Sequence, residues 1–190
     1  QGNTATAEGG AMCIFFSNPI LNNVTINENI SGLHGGGIFM IGSSPVLTNV
    51  MISQNTSWVG GGIMLGGGSY DVPIFNYVTL EANEATAGGD MMIAGASPVL
   101  TNVIVESNIA DNGEECCGNG GGLYFAFESD AVLENVTVNN NYASHYGGGI
   151  GLWDYCDPIL NNVILSNNHA ESVGGGLWNM NGNPALTNVE

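Results

Sequence analysis

The residues of this chain that could do chemistry are its carboxylic acids, and they are scattered along the sequence. Paired carboxylates can hydrolyse a glycosidic bond, one as general acid and the other as base or nucleophile. The candidates are Asp71, Asp90, Asp130, Asp154, Asp157 and Glu171. They occupy different positions of the repeat described below and form no clear facing pair. We therefore expect no catalytic residues and no enzymatic activity.

Metal and cofactor binding have as little support in the sequence. Asp111, Glu114 and Glu115 could offer calcium hard oxygen ligands, but their spacing matches no calcium-loop motif, so a solvated acidic loop is favoured. Each histidine precedes a glycine-rich segment, and only the first two fall at similar positions, with three repeats between them: His34, His145 and His169. Zinc needs converging ligands, so we expect no metal site and no cofactor.

Composition excludes several classes of partner. The chain has 190 residues, with no Lys or Arg and 17 Asp or Glu, which gives a formal net charge of −17. Binding to nucleic acid or to anionic lipid relies on Lys and Arg, so neither is expected. The absence of Lys and Arg also nearly excludes polysaccharide lyase activity of the kind that needs a cationic residue. No apolar run reaches the length of a membrane-spanning helix, so no membrane insertion is expected.

The cysteines are Cys13, Cys116, Cys117 and Cys156, and their spacing matches no zinc motif. Cys13 and Cys156 lie in the first and sixth repeats. At about 4.8 Å per turn they would be about 24 Å apart, beyond the reach of a disulfide. Cys116 and Cys117 could form a vicinal disulfide, stay reduced or bond to another chain. An oxidising location favours some disulfide.

A sequence repeat defines the elements that must position these side chains. An asparagine recurs at steps of 26, 26, 28, 25, 33 and 27 residues, and a Gly-Gly-X-apolar signal follows each one. These asparagines are Asn3, Asn29, Asn55, Asn83, Asn108, Asn141 and Asn168. The longest step contains an inserted loop at residues 109–119. A period in this range predicts stacked turns of a solenoid, and stacked inward amides could bond from turn to turn as a structural ladder.

Proline and apolar positions divide each repeat into short strands. Leu47, Val50 and Ile52 can all point inward if the chain bends near Asn49, because Asn tolerates the left-handed backbone conformation. The prolines share one position, where a missing N–H suits the start of a strand: Pro19, Pro45, Pro73, Pro98, Pro158 and Pro184. No helical period survives. The sequence therefore predicts an all-β fold, a right-handed parallel β-helix of about seven rungs with three short sheets, as one domain spanning 1–190.

The repeat resembles those of chlamydial polymorphic outer-membrane proteins. The resemblance lies in Ile52-Ser-Gln-Asn55 followed by Gly60-Gly-Gly-Ile63, and it extends over essentially the whole chain. Many secreted bacterial β-helix repeat proteins are similar. Here Ile, Leu or Val stands where that family usually has Phe before the Asn. The resemblance implies a surface-displayed or secreted protein that acts as an adhesin-like module or a structural stalk.

An apolar stripe follows the glycine signals. Alternation within the strands places large apolar residues on the outer face of the sheet as well as on the inner face. The stripe consists of Phe15, Phe39, Met64, Met92, Tyr124, Trp153 and Trp178. One interpretation is a lateral interface with another chain or domain, because a sheet that is apolar on both faces is normally covered on both. The alternative is a wrong parity, or ordinary stacking of aromatic rings on an exposed solenoid face.

The leading functional hypothesis is a secreted or cell-surface structural or adhesive protein. Both chain ends fall inside a repeat without a polar cap, which is compatible with head-to-tail stacking of subunits into an extracellular fibre. It is equally compatible with a passenger fragment of a larger adhesin. A different hypothesis is a polysaccharide-binding or polysaccharide-cleaving module that uses Trp58, Trp153 and Trp178. The expected partners are further copies of the chain and, in this second hypothesis, glycans.

Overall fold

The chain forms a parallel β-solenoid of about seven turns, as the sequence predicts. The computed structural model describes residues 1–68, 70–111 and 118–190, and within these ranges it contains strands, bridges, turns and bends but no helix. The predicted insertion at 109–119 begins as a strand, and Asn119 rejoins the solenoid by a bridge to Tyr146. Cys116 and Cys117, with their proposed disulfide, lie outside the described residues.

Each turn contains three or four strands, because β18, β21 and β24 each run through the positions of two strands and one turn has only a bridge at Thr56 in place of the two-residue strand. In chain order the strands of the first half are β1 (Thr4–Ala5), β2 (Met12–Phe15), β3 (Ile20–Asn22), β4 (Thr25–Asn27), β5 (Ile30–Ser31), β6 (Ile38–Ile41), β7 (Val46–Thr48), β8 (Met51–Ser53), β9 (Ile63–Gly66), β10 (Ile74–Asn76), β11 (Thr79–Glu81) and β12 (Glu84–Ala85). The second half contains β13 (Met91–Ala94), β14 (Val99–Thr101), β15 (Ile104–Glu106), β16 (Ile109–Ala110), β17 (Leu123–Ala126), β18 (Val132–Asn139), β19 (Tyr142–Ala143), β20 (Ile150–Trp153), β21 (Ile159–Ser166), β22 (His169–Ala170), β23 (Leu177–Met180) and β24 (Ala185–Val189).

These strands stack into parallel sheets in which each strand pairs with its equivalent one turn away. The four-residue strands form a seven-stranded sheet in the order β2-β6-β9-β13-β17-β20-β23. An eleven-stranded sheet holds two strand columns, which join where β18, β21 and β24 run through the bend without interruption. The two-residue strands form a two-stranded and a four-stranded sheet, linked through single bridges at Thr56. The seven-stranded sheet, the bent eleven-stranded sheet and the column of two-residue strands form three faces of the solenoid. These faces match the three predicted sheets.

The corners of each turn are made by residues in the left-handed conformation. Asn49 has φ = 52°, which confirms the predicted bend, and most other turns repeat it with asparagine at the same place. A second corner immediately precedes the asparagine column, as at Gln54 with φ = 55°. The first glycine of each glycine pair makes a third, as at Gly60 with φ = 65°. Proline precedes the next strand, where its carbonyl accepts a bond from the turn above, as in Val46 N to Pro19 O at 3.1 Å.

The bends let successive strands of one turn all direct apolar side chains into a narrow core. Leu47, Ile52, Ile63 and Leu65 are fully buried, and the equivalent residues of neighbouring turns stack directly above and below them. The core is continuous through the solenoid and ends at both terminal turns, where Ile14, Val24, Leu177 and Val189 are only partly covered. Burial therefore depends on each turn being covered by its neighbours.

The glycines after each corner allow turns to approach closely, and Gly61 provides a sharp test. A Cβ on Gly61 would collide with the backbone oxygen of Gly89 in the next turn and lie 2.6 Å from the Glu84 nitrogen. We expect Gly61→Ala to lower the free energy of unfolding by about 1–3 kcal/mol or more, as overpacking does. Urea unfolding followed by circular dichroism measures the change.

The matched control is Gly68→Ala, because no atom lies within 4 Å of a Cβ built there and its φ is not in the left-handed region. We expect this variant to keep or slightly raise the urea midpoint, since alanine restricts the unfolded chain. Equal losses in both variants would contradict the close-approach explanation.

Candidate functional site

The asparagine column forms a directional ladder of hydrogen bonds through the interior. In each step, the backbone N–H and the side-chain N–H of one asparagine both donate to the Oδ1 of the asparagine in the next turn. Asn55 donates to Asn83 Oδ1 at 2.9 Å from both groups, and Asn108 donates to Asn141 Oδ1 at 3.0 Å from both. The ladder runs from Asn3 to Asn168. Its inner members are buried, so each amide satisfies groups that water cannot reach.

From Asn55 onwards, each amide also satisfies a backbone carbonyl of the preceding turn. The Nδ2 of Asn55 donates to Ile26 O at 3.1 Å, and that of Asn108 donates to Leu80 O at 3.1 Å. One side chain therefore joins three successive turns at a corner where the sheet hydrogen bonds are interrupted. The side chain needs a donor and an acceptor at fixed positions, which explains why asparagine recurs there.

Asp90 is the one carboxylic acid inside this network among the described residues. It occupies the X position of a glycine signal and is fully buried. Its Oδ1 accepts a bond from Asn83 Nδ2 at 2.8 Å, and its Oδ2 has no hydrogen-bond partner. Burial raises the pKa of Asp90 well above its ordinary value of 3.8, and the bond from Asn83 offsets only part of that shift.

Two further ladders run along the outer corner before each proline, and sequence reasoning missed both. In one, a side-chain oxygen accepts a backbone N–H from the next turn, as in Asp157 N to Asp130 Oδ1 at 2.9 Å. In the other, a buried hydroxyl donates within its own turn and accepts from a neighbour, as Ser129 does. Cys156 occupies the same column as Ser129, and its thiol donates to Trp153 O at 3.0 Å. The recurrence of Ser, Asp or Asn just before proline was the available signal.

The remaining sequence candidates lie apart from one another. Asp71 caps a turn by accepting from Gly68 N, and Glu171 accepts a bond from the Tyr142 hydroxyl at 2.7 Å, which raises the pKa of Tyr142 to about 12. His34 lies 3.7 Å from Glu8. Within the described ranges, no group of three His, Cys, Asp or Glu side chains could hold a metal ion. Both cysteines in those ranges are free: Cys13, which is exposed, and Cys156, which is buried.

The apolar stripe divides into two columns on the outer face of the seven-stranded sheet. Phe39, Met64, Met92, Tyr124 and Trp178 share one column, and Phe15 and Trp153 lie in the column two residues further along the strands. All seven lie on the outer face, but they are not equally exposed. Phe39 is 3% exposed and Tyr124 is 8% exposed.

Neighbouring side chains of the same chain cover much of the first column. Met92, Tyr124 and Ala126 form a buried cluster against Val59 and Ala87, which lie in the corner segments preceding the strands. Tyr124 also leans over Gly151 in the next turn, where a Cβ would lie 3.0 Å from its Cδ2. Trp153 remains 38% exposed, and Phe15 is exposed as well.

A groove lies on this face, between the covered column and the exposed one. Its cavity of about 300 Å³ is lined by Ala87, Met92, Asn119, Tyr124, Ala126, Phe127 and Trp153. A second depression of about 390 Å³ adjoins it, lined by Gly67, Gly68, Ala94, Gly95, Phe127 and Glu128. Phe127 lines both, so we call the pair the aromatic groove. Trp178 approaches Trp153 with ring centroids 6.0 Å apart, whereas the third tryptophan, Trp58, is exposed at another corner.

The outer face of the eleven-stranded sheet carries exposed β-branched residues that sequence reasoning did not single out. One column contains Ile20, Ile74 and Ile159, and the next contains Ile104 and Ile164. Within the described ranges there is also no helix long and apolar enough to cross a membrane. No protein-family model matches the chain, and comparisons with curated proteins and with solved structures found no match.

Removal of one inner amide tests the asparagine ladder. Asn108→Ala would remove the side-chain partner of the Asn83 backbone N–H and of the Leu80 carbonyl. Asn83 Nδ2 would keep its bonds to Ile52 O and Asp90 Oδ1. Each buried group left unsatisfied costs about 1–3 kcal/mol, so we expect a loss of at least about 2 kcal/mol in the free energy of unfolding. The control is Asn22→Ala on an exposed strand position, which should change the urea midpoint little. A similar loss in both variants would show that the ladder is not the cause.

Asp90 should make stability depend on pH. Its folded-state pKa lies above its unfolded value of 3.8, so the native state binds the extra proton. Stability from this group is complete below pH 3.8 and is lost as pH rises through the folded-state pKa. We expect the urea midpoint of the native chain to fall over that interval and the midpoint of Asp90→Asn to lack this component. Glu81→Gln, at a partly exposed position, should keep the native slope; an unchanged slope in Asp90→Asn would contradict this role.

Proposed function

We propose that this chain is a secreted or cell-surface structural protein whose solenoid serves as a stalk or adhesive fibre element. The asparagine ladder is the single observation that carries the proposal. The ladder runs continuously inside about seven turns. The donors and acceptors of its amides form hydrogen bonds that join each turn to the next. The resemblance of the repeat to chlamydial polymorphic outer-membrane proteins supports surface display. A rigid, cation-free rod also offers trypsin-like proteases no cleavage site.

The terminal turns support association of like turns along the axis. The ladder is directional, because every asparagine donates to the one in the next turn. The Asn3 end therefore presents an amide oxygen as acceptor, and the Asn168 end presents N–H donors. The unpaired outer edges of β2 and β23 are parallel-strand edges in matching register columns. Core residues such as Leu186 are exposed at the last turn. What fits such a surface is a further turn of the same kind, and a head-to-tail copy would supply one.

Charge sets the conditions for this association. Two copies of charge −17 repel one another, and salt screens that repulsion over a Debye length of about 10 Å at 0.1 M. Apolar and hydrogen-bonded contacts between end turns are much less sensitive to salt. Head-to-tail stacking is therefore expected to strengthen as ionic strength rises.

Sedimentation and negative-stain electron microscopy test the stacking. We expect species at multiples of the chain mass, with unbranched rods that lengthen with protein concentration and with salt. Leu186→Glu should abolish the rods, because it buries a carboxylate between turns. Ile164→Glu adds the same charge at an exposed outward position and should leave the rods intact. Monodisperse single chains of the native protein at high concentration and high salt would refute the stacking.

Glycan binding is the second candidate function, and the meeting of Trp153 and Trp178 on one face favours it. Flat aromatic rings can stack against the apolar face of a sugar ring. A glycan array together with a reducing-sugar assay distinguishes binding from cleavage. Cleavage would replace the structural proposal, since that proposal includes no enzymatic activity.

A further inference from the structure

The aromatic groove has a built floor and an exposed aromatic rim. Met92, Tyr124 and Ala126 form its buried floor, while Phe127 is 59% exposed and Trp153 stands at its side. Asn119 lines the same groove, and its buried amide oxygen has no hydrogen-bond partner in the described part of the chain. The groove therefore combines π faces with an unused acceptor at its wall.

The backbone beside the groove is held in an uncommon conformation in two successive turns. Phe127 and Glu128 have φ = 59° and 57°, and Asp154 and Tyr155 one turn above have φ = 63° and 59°. A left-handed non-glycine residue costs about 1–2 kcal/mol, and other turns make this corner with glycine or a single residue, as at Gly42. Strain of this kind concentrates at functional sites. In each of these two turns, the residues in this conformation are one aromatic and one acidic residue, adjacent in the chain.

The electrostatics of the groove favour positive charge. Glu128 lines the second depression, and its backbone N–H donates to Asp154 O at 3.1 Å, which places the two acidic residues on successive turns. The faces of Phe127, Trp153 and Tyr124 carry the negative end of their quadrupoles. The chain contains no Lys or Arg to neutralise either feature. The groove would therefore repel an anionic ligand. It would attract a cation through both the acidic residues and the aromatic ring faces.

We propose that the aromatic groove binds the guanidinium group of an arginine on a different protein. A guanidinium is planar, so it can stack on the exposed ring of Trp153 or Phe127 while its N–H groups donate, in its own plane, to the Glu128 carboxylate. An ammonium group cannot stack in this way. A second copy of the chain cannot be the occupant, because it has no arginine. The inference goes beyond the proposed structural role and holds whether or not copies of the chain stack.

Calorimetric titration with short peptides tests this site, using dispersed chains at 0.15 M salt. The probes are a peptide of alternating glycine and arginine and matched peptides with lysine or citrulline in place of arginine. We expect the arginine peptide to bind several-fold more tightly than the lysine peptide, and the citrulline peptide to bind weakest. Trp153→Ala and Glu128→Gln should each weaken arginine binding about two- to fivefold or more, the range expected for a lost cation–π contact or charge-assisted bond.

Matched controls separate the site from general attraction to an acidic protein. Trp58→Ala removes an exposed tryptophan elsewhere, and Glu106→Gln removes one charge from the eleven-stranded sheet; both should bind the arginine peptide as the native chain does. Circular dichroism establishes folding of each variant, and Phe127→Ala, at a 59% exposed position that lines both depressions, serves if Trp153→Ala does not fold. Equal weakening by Glu106→Gln, equal affinity for lysine and arginine, or Trp153-dependent binding of neutral oligosaccharides without arginine binding would each overturn the proposal.

Discussion

The hydrogen bonds between successive turns are the constraint on which the rest of this structure depends. Every strand pairs in parallel with its equivalent in the next turn, so each residue needs a counterpart directly above or below it. Most corner residues keep this backbone pairing, but at two corners of each turn the backbone N–H donates to a side chain of the neighbouring turn instead. The asparagine ladder supplies these side chains at the most buried corner, and the Ser and Asp columns supply them at the outer corner. The sequence repeats because each turn must solve the same pairing problem.

The chemistry of each column explains its choice of residue. An inner ladder residue donates two side-chain hydrogen bonds and accepts two, which a neutral amide can do and a hydroxyl, with one hydrogen, cannot. At the outer corner the donor is a backbone N–H of the next turn, so any side-chain acceptor is enough, and Asn18, Ser44, Asp130 and Asp157 all serve. A carboxylate is tolerated there because it remains near solvent. Asp90 lacks that solvent, and its burial raises its pKa well above the ordinary value.

Structural features that recur in every turn could be predicted from the sequence. Features that depend on which neighbouring side chains cover a residue could not. The period, the proline positions and the bend at Asn49 recur in turn after turn, so the fold followed from them. The exposure of the apolar stripe did not follow from the sequence. Alternation shows on which face of the sheet a side chain lies, but not which other residues cover it. Tyr124 is outward and yet buried, since the corner residue Ala87 and its own column neighbours cover it. The aromatic groove arises from the same local packing together with corner strain at Phe127, which no pattern of residue types encodes.

The scattering of the acids, which argued against a catalytic pair, also has a physical cause in the stacking. Equivalent positions of adjacent turns lie about 4.8 Å apart. Two carboxylates at that distance repel by roughly 0.9 kcal/mol even at the dielectric constant of water, and this chain has no cation to place between them. Glu81 and Glu106 do occupy paired positions, on partly exposed strands where water screens them. Glu128 and Asp154, on successive turns beside the aromatic groove, are exposed and partly exposed, so water screens their charges in the same way.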